Sequence, residues 1–490
     1  MKSKAVATTL VAAISIFLSL FIWGFSSPPG SAPDDDFHLP SIWCSHGKQE
    51  GKCDPEFKDD GYGKTPAPLS PSAICFAFKS DVSALCQSSQ FNWNDNTLSG
   101  SRTNEKGRFP NGFYWTLNFL IGENTLISAM IMRVFNSILA TILIVSTVIL
   151  SPKRIRVALI GSWVGVVIPL GLYTISSTNP SSWTLIGIGT YWAALYSFLL
   201  ETHKLKKILL GSLTFTSAMI SIQSRSEAGP YIILSTLVIF ILFLNFEKIK
   251  KLLLRLVFIL FINLVAIYEF LTTPSTLGWS TGLPGGDENR PLKAVWFYNI
   301  TEWPTFISGA IGGWPLGWLD VPVPSITYFM CLLVFAGLIL SGLTDLSKRK
   351  IVALSLIFSA LLILPLRILA LGKNFVGENV QPRYFLPLIF LFVGVALLST
   401  DKLEEFWLSK AQIFTIIFAS SIANFFSLHF VLRRFITGTD IVDWNLNRNI
   451  EWWWSFMPSP LISWLIGSVS FSIAISIGLW QMRDRSKVLS

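Results

Sequence analysis

Charge is what this sequence has least of. Only 14% of its 490 residues are Asp, Glu, Lys or Arg, where a soluble domain carries about a quarter. Too few charges remain to clothe a water-facing surface, which excludes an ordinary soluble fold. The formal net charge of +9 is thinly spread, and nucleic-acid binding is a poor explanation for it. No Gly-Lys-Ser/Thr phosphate loop, nucleophile elbow or dinucleotide fingerprint occurs, which argues against ATP hydrolysis within the chain. Neither His203 nor His429 has spacing that suggests a metal. No internal repeat stands out, inverted repeats of the transporter kind included, and there is no coiled-coil or low-complexity tract.

What is present is apolar sequence in long blocks, 51% hydrophobic by composition. Ala5 to Gly24 and Ser325 to Leu343 hold no charge, and Thr125 to Leu150 holds only Arg133. About twenty apolar residues cross the roughly 30 Å hydrocarbon core as a helix, and uninterrupted runs point to helices rather than a barrel. The runs predict about twelve spans. Six lie over Ala5–Gly24, Thr125–Leu150, Val157–Ile175, Trp183–Leu200, Ile208–Ile222 and Tyr231–Phe246. Six more lie over Leu252–Leu271, Ser325–Leu343, Ile351–Leu371, Tyr384–Leu398, Ile413–Val431 and Leu461–Trp480. The fold class is therefore all-α integral membrane, with a lipid bilayer as its solvent.

Segments around Lys2, Lys153, Lys204, Lys248, Lys348, Lys402 and Arg485 are predominantly basic, and the opposite loops are not. Basic residues favour the inner side, so a cell-membrane protein with both termini cytoplasmic is expected. The first helix reads as an uncleaved anchor, its apolar core being longer than that of a signal peptide. The organisation is then a first helix (1–24), a long extracytoplasmic loop (25–118), helices two to seven (119–271), a second outer loop (272–324) and helices eight to twelve (325–490).

Four of the five cysteines, Cys44, Cys53, Cys75 and Cys86, lie in the first outer loop. On an oxidising side they suggest two disulfides. Among three pairings, the local ones, Cys44–Cys53 and Cys75–Cys86, close the shortest loops. A zinc site is the rival reading, against which the spacings are wide. The fifth, Cys331, reads as a packed apolar residue. The second loop carries Trp279, Trp296, Trp303, Trp314 and Trp318 among Gly and Pro, near Asp320. Indoles prefer the membrane interface, so the loop is either an anchor or a groove for a lipid-linked substrate that includes Trp314, Trp318 and Asp320.

Immediately after the first helix come Asp34, Asp35 and Asp36, then His38. Neighbouring carboxylates repel, and one can have a raised pKa. Such a group could take a proton from a hydroxyl nucleophile, or several could hold a divalent cation; a solvated acidic turn is the plain alternative. Arg225 and Arg383 flank helix ends, and Arg133 lies within a span. Arginine binds phosphate oxygens bidentately, while snorkelling to the interface is the structural reading. Arg133 needs a buried acceptor, for which Glu269 is the candidate; Arg367 has no assignable partner.

Pro33-Asp34-Asp35 with His38 resembles the Pro-Asp-Glu-x-x-His that follows the first helix in domain-of-unknown-function family 2142, a bacterial membrane family grouped with the GT-C glycosyltransferases. Met132-Arg133 with Asn136, Asn179-Pro180 and Ser224-Arg225-Ser226 look similar, in the same order. So do Gly317-Trp318-Leu319-Asp320, Gln381-Pro382-Arg383-Tyr384-Phe385-Leu386-Pro387 and Trp452-Trp453-Trp454. The sequence departs by having Pro382 where Gly is expected and Asp35 where Glu is expected. The resemblance implies a GT-C-like multi-pass bundle that takes a sugar from a polyprenyl-phosphate donor, usually with inversion. The acceptor would be a polysaccharide, lipid or protein, and an acid of the first outer loop would be the base. Asp35 or Asp34, with His38, would be catalytic, and Arg225, Arg383 and Arg133 would hold the donor phosphate. No cofactor is assigned with certainty, and a divalent cation stays open. A flippase of lipid-linked glycans and a non-enzymatic envelope scaffold are the rival functions; few polar residues lie deep in the spans, which favours the enzyme over the flippase.

Overall fold

The computed structural model describes residues 2–55, 62–71, 74–104, 106–243, 253–276, 281–283, 285–399 and 408–482. Lys248, Trp279, Lys402 and Arg485 lie outside the described residues. Nine described helices are long and apolar enough to cross a membrane. They are α1 (Lys2–Phe25), α5 (Thr125–Leu150), α8 (Ser181–Leu200), α9 (Lys204–Ile222), α11 (Leu253–Thr272), α14 (Ser325–Gly342), α15 (Lys348–Leu371), α17 (Lys410–Ile436) and α18 (Pro460–Trp480). Two apolar helices are shorter, α10 (Ala228–Phe243) and α16 (Leu386–Leu397). The predicted span Val157–Ile175 is not one helix. It divides into α6 (Lys153–Val166) and the short α7 (Leu170–Ile175), separated at Pro169, whose ring and missing N–H cannot continue a helix interior. Arg367, expected inside its span, is exposed near the end of α15.

Helices α8 and α16 form the centre. α8 is buried on nearly every face, and so is α16. At 1.5 Å per residue, twelve residues rise only about 18 Å; α16 need not meet lipid because protein surrounds it. Close approach is set by small residues, as is usual between apolar helices. A Cβ on Gly187 of α8 would lie 2.5 Å from the Ser217 carbonyl of α9, and one on Gly394 of α16 would strike the Trp192 ring.

Between α1 and α5 the chain builds a small cap. It contains α2 (Asp35–Cys44), α3 (Leu85–Gln90), α4 (Gly112–Asn118) and an antiparallel pair, β1 (Tyr62–Pro66) with β2 (Leu98–Arg102), in register Tyr62 to Arg102. Disulfides join Cys44 to Cys53 and Cys75 to Cys86, and Cys331 is a buried free thiol. The cap has its own core of Phe37, Ile42, Trp43, Phe113, Tyr114 and Leu117, continued by Met132 of α5 and Trp183 of α8. It is therefore seated on the bundle. The second loop folds into α12 (Leu292–Glu302), α13 (Pro304–Ser308) and a bent segment through Gly309–Gly313. On α12, Leu292, Trp296, Phe297 and Ile300 are exposed, and aromatic side chains so placed suit the membrane interface.

Candidate functional site

The first structural element of the site is a turn with almost no side-chain chemistry of its own. From Gly24 to Ser31 the chain leaves α1 through Ser, Pro and Gly residues that cannot continue the helix, so its carbonyls need outside donors. Arg133 donates to Gly24 O at 2.8 Å, Ser27 O at 2.7 Å and Pro28 O at 2.8 Å. Trp454 Nε1 donates to Phe25 O at 2.7 Å, Gln87 to Pro29 O at 3.0 Å, Trp318 Nε1 to Gly30 O at 2.8 Å and Tyr173 Oη to Ser31 O at 2.8 Å. Five side chains from distant parts of the chain thus hold seven carbonyls. Asn179 adds a bond to Pro33 O at 2.8 Å. The acidic motif begins where this turn ends, and its position is fixed by the turn.

The three carboxylates then diverge, because successive residues entering a helix point about 100° apart. Asp34 precedes α2 in the left-handed region, φ 61°, a conformation in which Asp is enriched among non-glycine residues. Its side chain is 47% exposed, and Oδ2 accepts from Arg383 Nη2 at 2.5 Å. Burial would raise its pKa, but Arg383, with Arg225 and Arg102 further off, holds it below the usual carboxylate range. Asp35 is fully buried, accepting from Ala32 N at 3.2 Å and from the Thr178 hydroxyl at 3.3 Å. Burial pushes its carboxyl up to about 7, against the opposing charge of Arg133 and those two hydrogen bonds. Asp36 turns to Arg102 of β2, whose Nε donates to it at 3.1 Å. A shared cation site does not result; among the described residues no group of three His, Cys, Asp or Glu could hold a metal ion.

His38 is buried, with Nδ1 2.8 Å from Tyr114 Oη. Burial pushes its imidazole down to about 3 despite the opposing effect of Asp34, so it is neutral near pH 7 and its role is polar rather than ionic. Arg225 pairs with Glu227. Its guanidinium lies 5.2 Å from the Phe109 ring centroid and 5.0 Å from that of Tyr384. Arg383 also lies 5.0 Å from the Tyr384 centroid and donates to Gln381 at 2.6 Å. The two arginines are therefore neighbours through one aromatic ring, and both belong to the same electrostatic surroundings of Asp34.

A cavity of about 20 Å³, room for one water, lies between Ala32–Pro33, Tyr173–Thr174, Asn179, Trp314–Gly317 and Gln381–Arg383. Trp314 Nε1 and Arg383 Nε, buried donors on residues of its wall, have no acceptor among the described residues. A water in that cavity would give such donors an acceptor.

The structure thus brings together Asp34, His38, Arg225, Arg383 and Trp314. Three predicted residues stand elsewhere. Arg133 does not meet Glu269, which accepts from Gln223 at 3.2 Å instead; its guanidinium is occupied by the carbonyls of the turn. Asp320, expected in a groove, is buried against Arg434 at 2.6 Å and also accepts from Trp318 N at 3.1 Å. Trp318 itself holds the turn through Gly30. Thr178, Asn179, Tyr173, Tyr384 and Gln87 were not singled out as site residues. For Asn179 and Tyr384 the motifs Asn179-Pro180 and Arg383-Tyr384 carried the signal; for Gln87 none was present.

The description "Predicted membrane protein (DUF2142)" belongs to a family whose sequence profile matches residues 17–392. The chain belongs to this family. The match begins within α1 and ends within α16, so it includes the cap, the turn, both arginines of the site, all of α8 and the first part of α16. No curated protein and no solved structure matches the chain.

Proposed function

We propose that this DUF2142 protein is a membrane glycosyltransferase of GT-C type. It would comprise about twelve spans and move a sugar from a polyprenyl-phosphate donor to an envelope acceptor on the extracytoplasmic face, with inversion. The observation that carries the reading is the half-exposed, ionised Asp34 bridged to Arg383 beside buried donors that lack acceptors. A general base must first reach its proton and only then have a suitable pKa. Asp34 meets the first condition, and Asp35 does not.

The donor phosphate enters against Arg383 and Arg225 and competes with Asp34 for the Arg383 guanidinium. Losing that neighbour raises the basicity of Asp34 when substrate is present. Asp34 then accepts the acceptor hydroxyl's proton while that oxygen bonds to the anomeric carbon. The bond from that carbon to the phosphate oxygen breaks, and polyprenyl phosphate leaves with the electron pair. Charge developing on the phosphate is stabilised by arginines already in place. Asp35 and Arg133 act by holding the turn that carries Asp34.

The test is cellular glycan analysis in strains carrying Asp34→Asn, Asp35→Asn, Arg383→Ala or the exposed control Glu123→Gln. Asp34→Asn should lower transfer by about 10²–10⁴ at normal protein abundance, and Glu123→Gln should leave it unchanged. Full transfer with Asp34 neutralised would overturn the mechanism and favour a binding or transport role.

A further inference from the structure

The loop closed by the Cys75–Cys86 disulfide lifts one aromatic side chain into solvent. Phe78 is 69% exposed, and its backbone is left-handed, φ 62°. In the second outer loop, Leu319 is 38% exposed at φ 61°. Left-handed backbone crowds the Cβ of an L-residue, and bulky apolar residues are seldom found there. Both side chains also forgo the gain of burial. Two costs thus fall on the same two residues.

The surrounding structure holds them in place. Arg434, fully buried near the end of α17, donates to Phe76 O at 2.8 Å, Lys79 O at 3.0 Å and Val82 O at 2.6 Å, carbonyls on either side of Phe78. The same guanidinium binds Asp320 Oδ2 at 2.6 Å, and Asp320 Oδ1 accepts from Trp318 N at 3.1 Å. Thr439 N adds a bond to Ser80 O at 2.8 Å. One buried cation therefore ties the Phe78 loop to the turn that carries Trp318 and Leu319. It sets the Phe78 ring 5.4 Å from the half-buried Trp318 ring, at 64°. A loose loop would relax both φ angles. Backbone strain persists where the surroundings over-determine it, and such places cluster at ligand contacts.

A partner for this surface must be apolar on one face and polar around its edge. Lys79 and Asp81 are exposed in the same turn as Phe78, and charges are costly in hydrocarbon, which argues against an acyl chain. A pyranose ring has the required character. Its C–H groups meet the electron-rich face of an aromatic ring, while its hydroxyls reach the charged rim. The position agrees with this partner. Trp318 Nε1 holds Gly30 O, and Gly30 is four residues from Asp34, at most about 14 Å of chain.

We propose that Phe78, Trp318 and Leu319 form a polysaccharide-binding platform, on which one sugar of the acceptor stacks while another presents its hydroxyl to Asp34. As an acceptor subsite it rests on the glycosyltransferase reading, and it narrows the acceptor to a glycan of more than one sugar. As a glycan platform it stands without that reading.

The test uses the full-length protein in nanodiscs and the sonicated envelope polysaccharide of the producing strain. Wild type should retain the polysaccharide. Phe78→Asn should lose about tenfold in retention, the scale of one aromatic contact, and Phe78→Tyr should keep it. Asn takes left-handed backbone readily, so Phe78→Asn should melt no lower than wild type. Phe119→Ala, which removes another exposed aromatic ring of the outer loop, should change nothing. A bimane label on Phe78→Cys, with Cys331 buried, should be insensitive to brominated lipid in the disc. Quenching by that lipid would make the patch a membrane anchor and overturn the platform. So would absent retention by wild type, undiminished retention by Phe78→Asn, or a lower melting temperature of that variant. Asp34→Asn, assayed for transfer in cells, separates the two readings. Lost transfer there with undiminished retention by Phe78→Asn overturns the platform and leaves the mechanism standing. Full transfer there with lost retention by Phe78→Asn supports the platform and overturns the mechanism.

Discussion

Adjacent Asp34 and Asp35 have opposite electrostatics, and burial against pairing explains it. Asp34 loses most by burial, but Arg383, His38, Arg225 and Arg102 together return more than that. Asp35 loses more by complete burial than Arg133, Ala32 and Thr178 return. The sign of the stability effect follows. A carboxyl whose folded pKa is raised binds its proton more tightly when folded. Its contribution is greatest below the unfolded value near 4, falls as pH rises toward about 7, and is flat above. Asp35→Asn resembles the protonated form. It should therefore raise the melting temperature at about pH 8 and flatten its decline between about pH 5 and 7, while Asp34→Asn does neither. Thermal unfolding in detergent across that range checks this; a variant less stable than wild type at about pH 8 would mean that Asp35 is ionised and holds its neighbours by charge. Sequence alone singled out the cluster but ranked Asp35 first, because three consecutive Asp residues carry no sign of which is exposed.

At the scale of elements, two arginines, buried Arg133 and half-buried Arg255, close helix ends with backbone bonds rather than ion pairs. Arg133 binds the carbonyls that follow α1, and Arg255 binds Phe198 O, Leu199 O and Glu201 O at the end of α8, at 2.9, 2.6 and 2.6 Å. Carbonyls at a helix C-terminus lack partners, and the dipole there favours a cation. This was not legible in the sequence, since a backbone acceptor has no residue identity; hence the search for a carboxylate beside Arg133. The break at Pro169 was hidden for another reason, as apolar residues continue through it. The long runs elsewhere were legible because lipid demands them over a full helix. Arg133→Met should leave three carbonyls and the Ser31 hydroxyl without their donor. At about 1–3 kcal/mol for each unsatisfied buried group, the loss should reach roughly 3 kcal/mol or more. Limited proteolysis should cut the cap of that variant before the bundle. An intact cap with unchanged melting would mean that the turn is held without Arg133.

At the scale of the whole molecule, the two ends of the bundle differ in chemistry. The cap, the candidate site and the second loop gather where α1, α5, α8 and α16 meet them, and the exposed aromatic residues of α12 lie in that second loop. The opposite connections carry Lys153, Arg154 and Arg156, then Lys204, Lys206 and Lys207, then Lys348, Arg349 and Lys350. Short basic connections stay on the cytoplasmic side, and the disulfides Cys44–Cys53 and Cys75–Cys86 belong on an oxidising one. Both considerations give the same orientation by independent physics. Epitope tags placed at two exposed turns decide it. A tag between Asn94 and Asp95, in the cap, should be labelled by an impermeant antibody in intact spheroplasts. One between Thr202 and His203, joining α8 to α9, should be labelled only after permeabilisation. Reversed labelling would put the cap in a reducing compartment and remove the carboxylate Asp34 from any extracytoplasmic donor. Labelling of both in intact cells would require an even number of crossings between the tags, so that one of α5, the broken α6–α7 segment and α8 does not lie across the membrane.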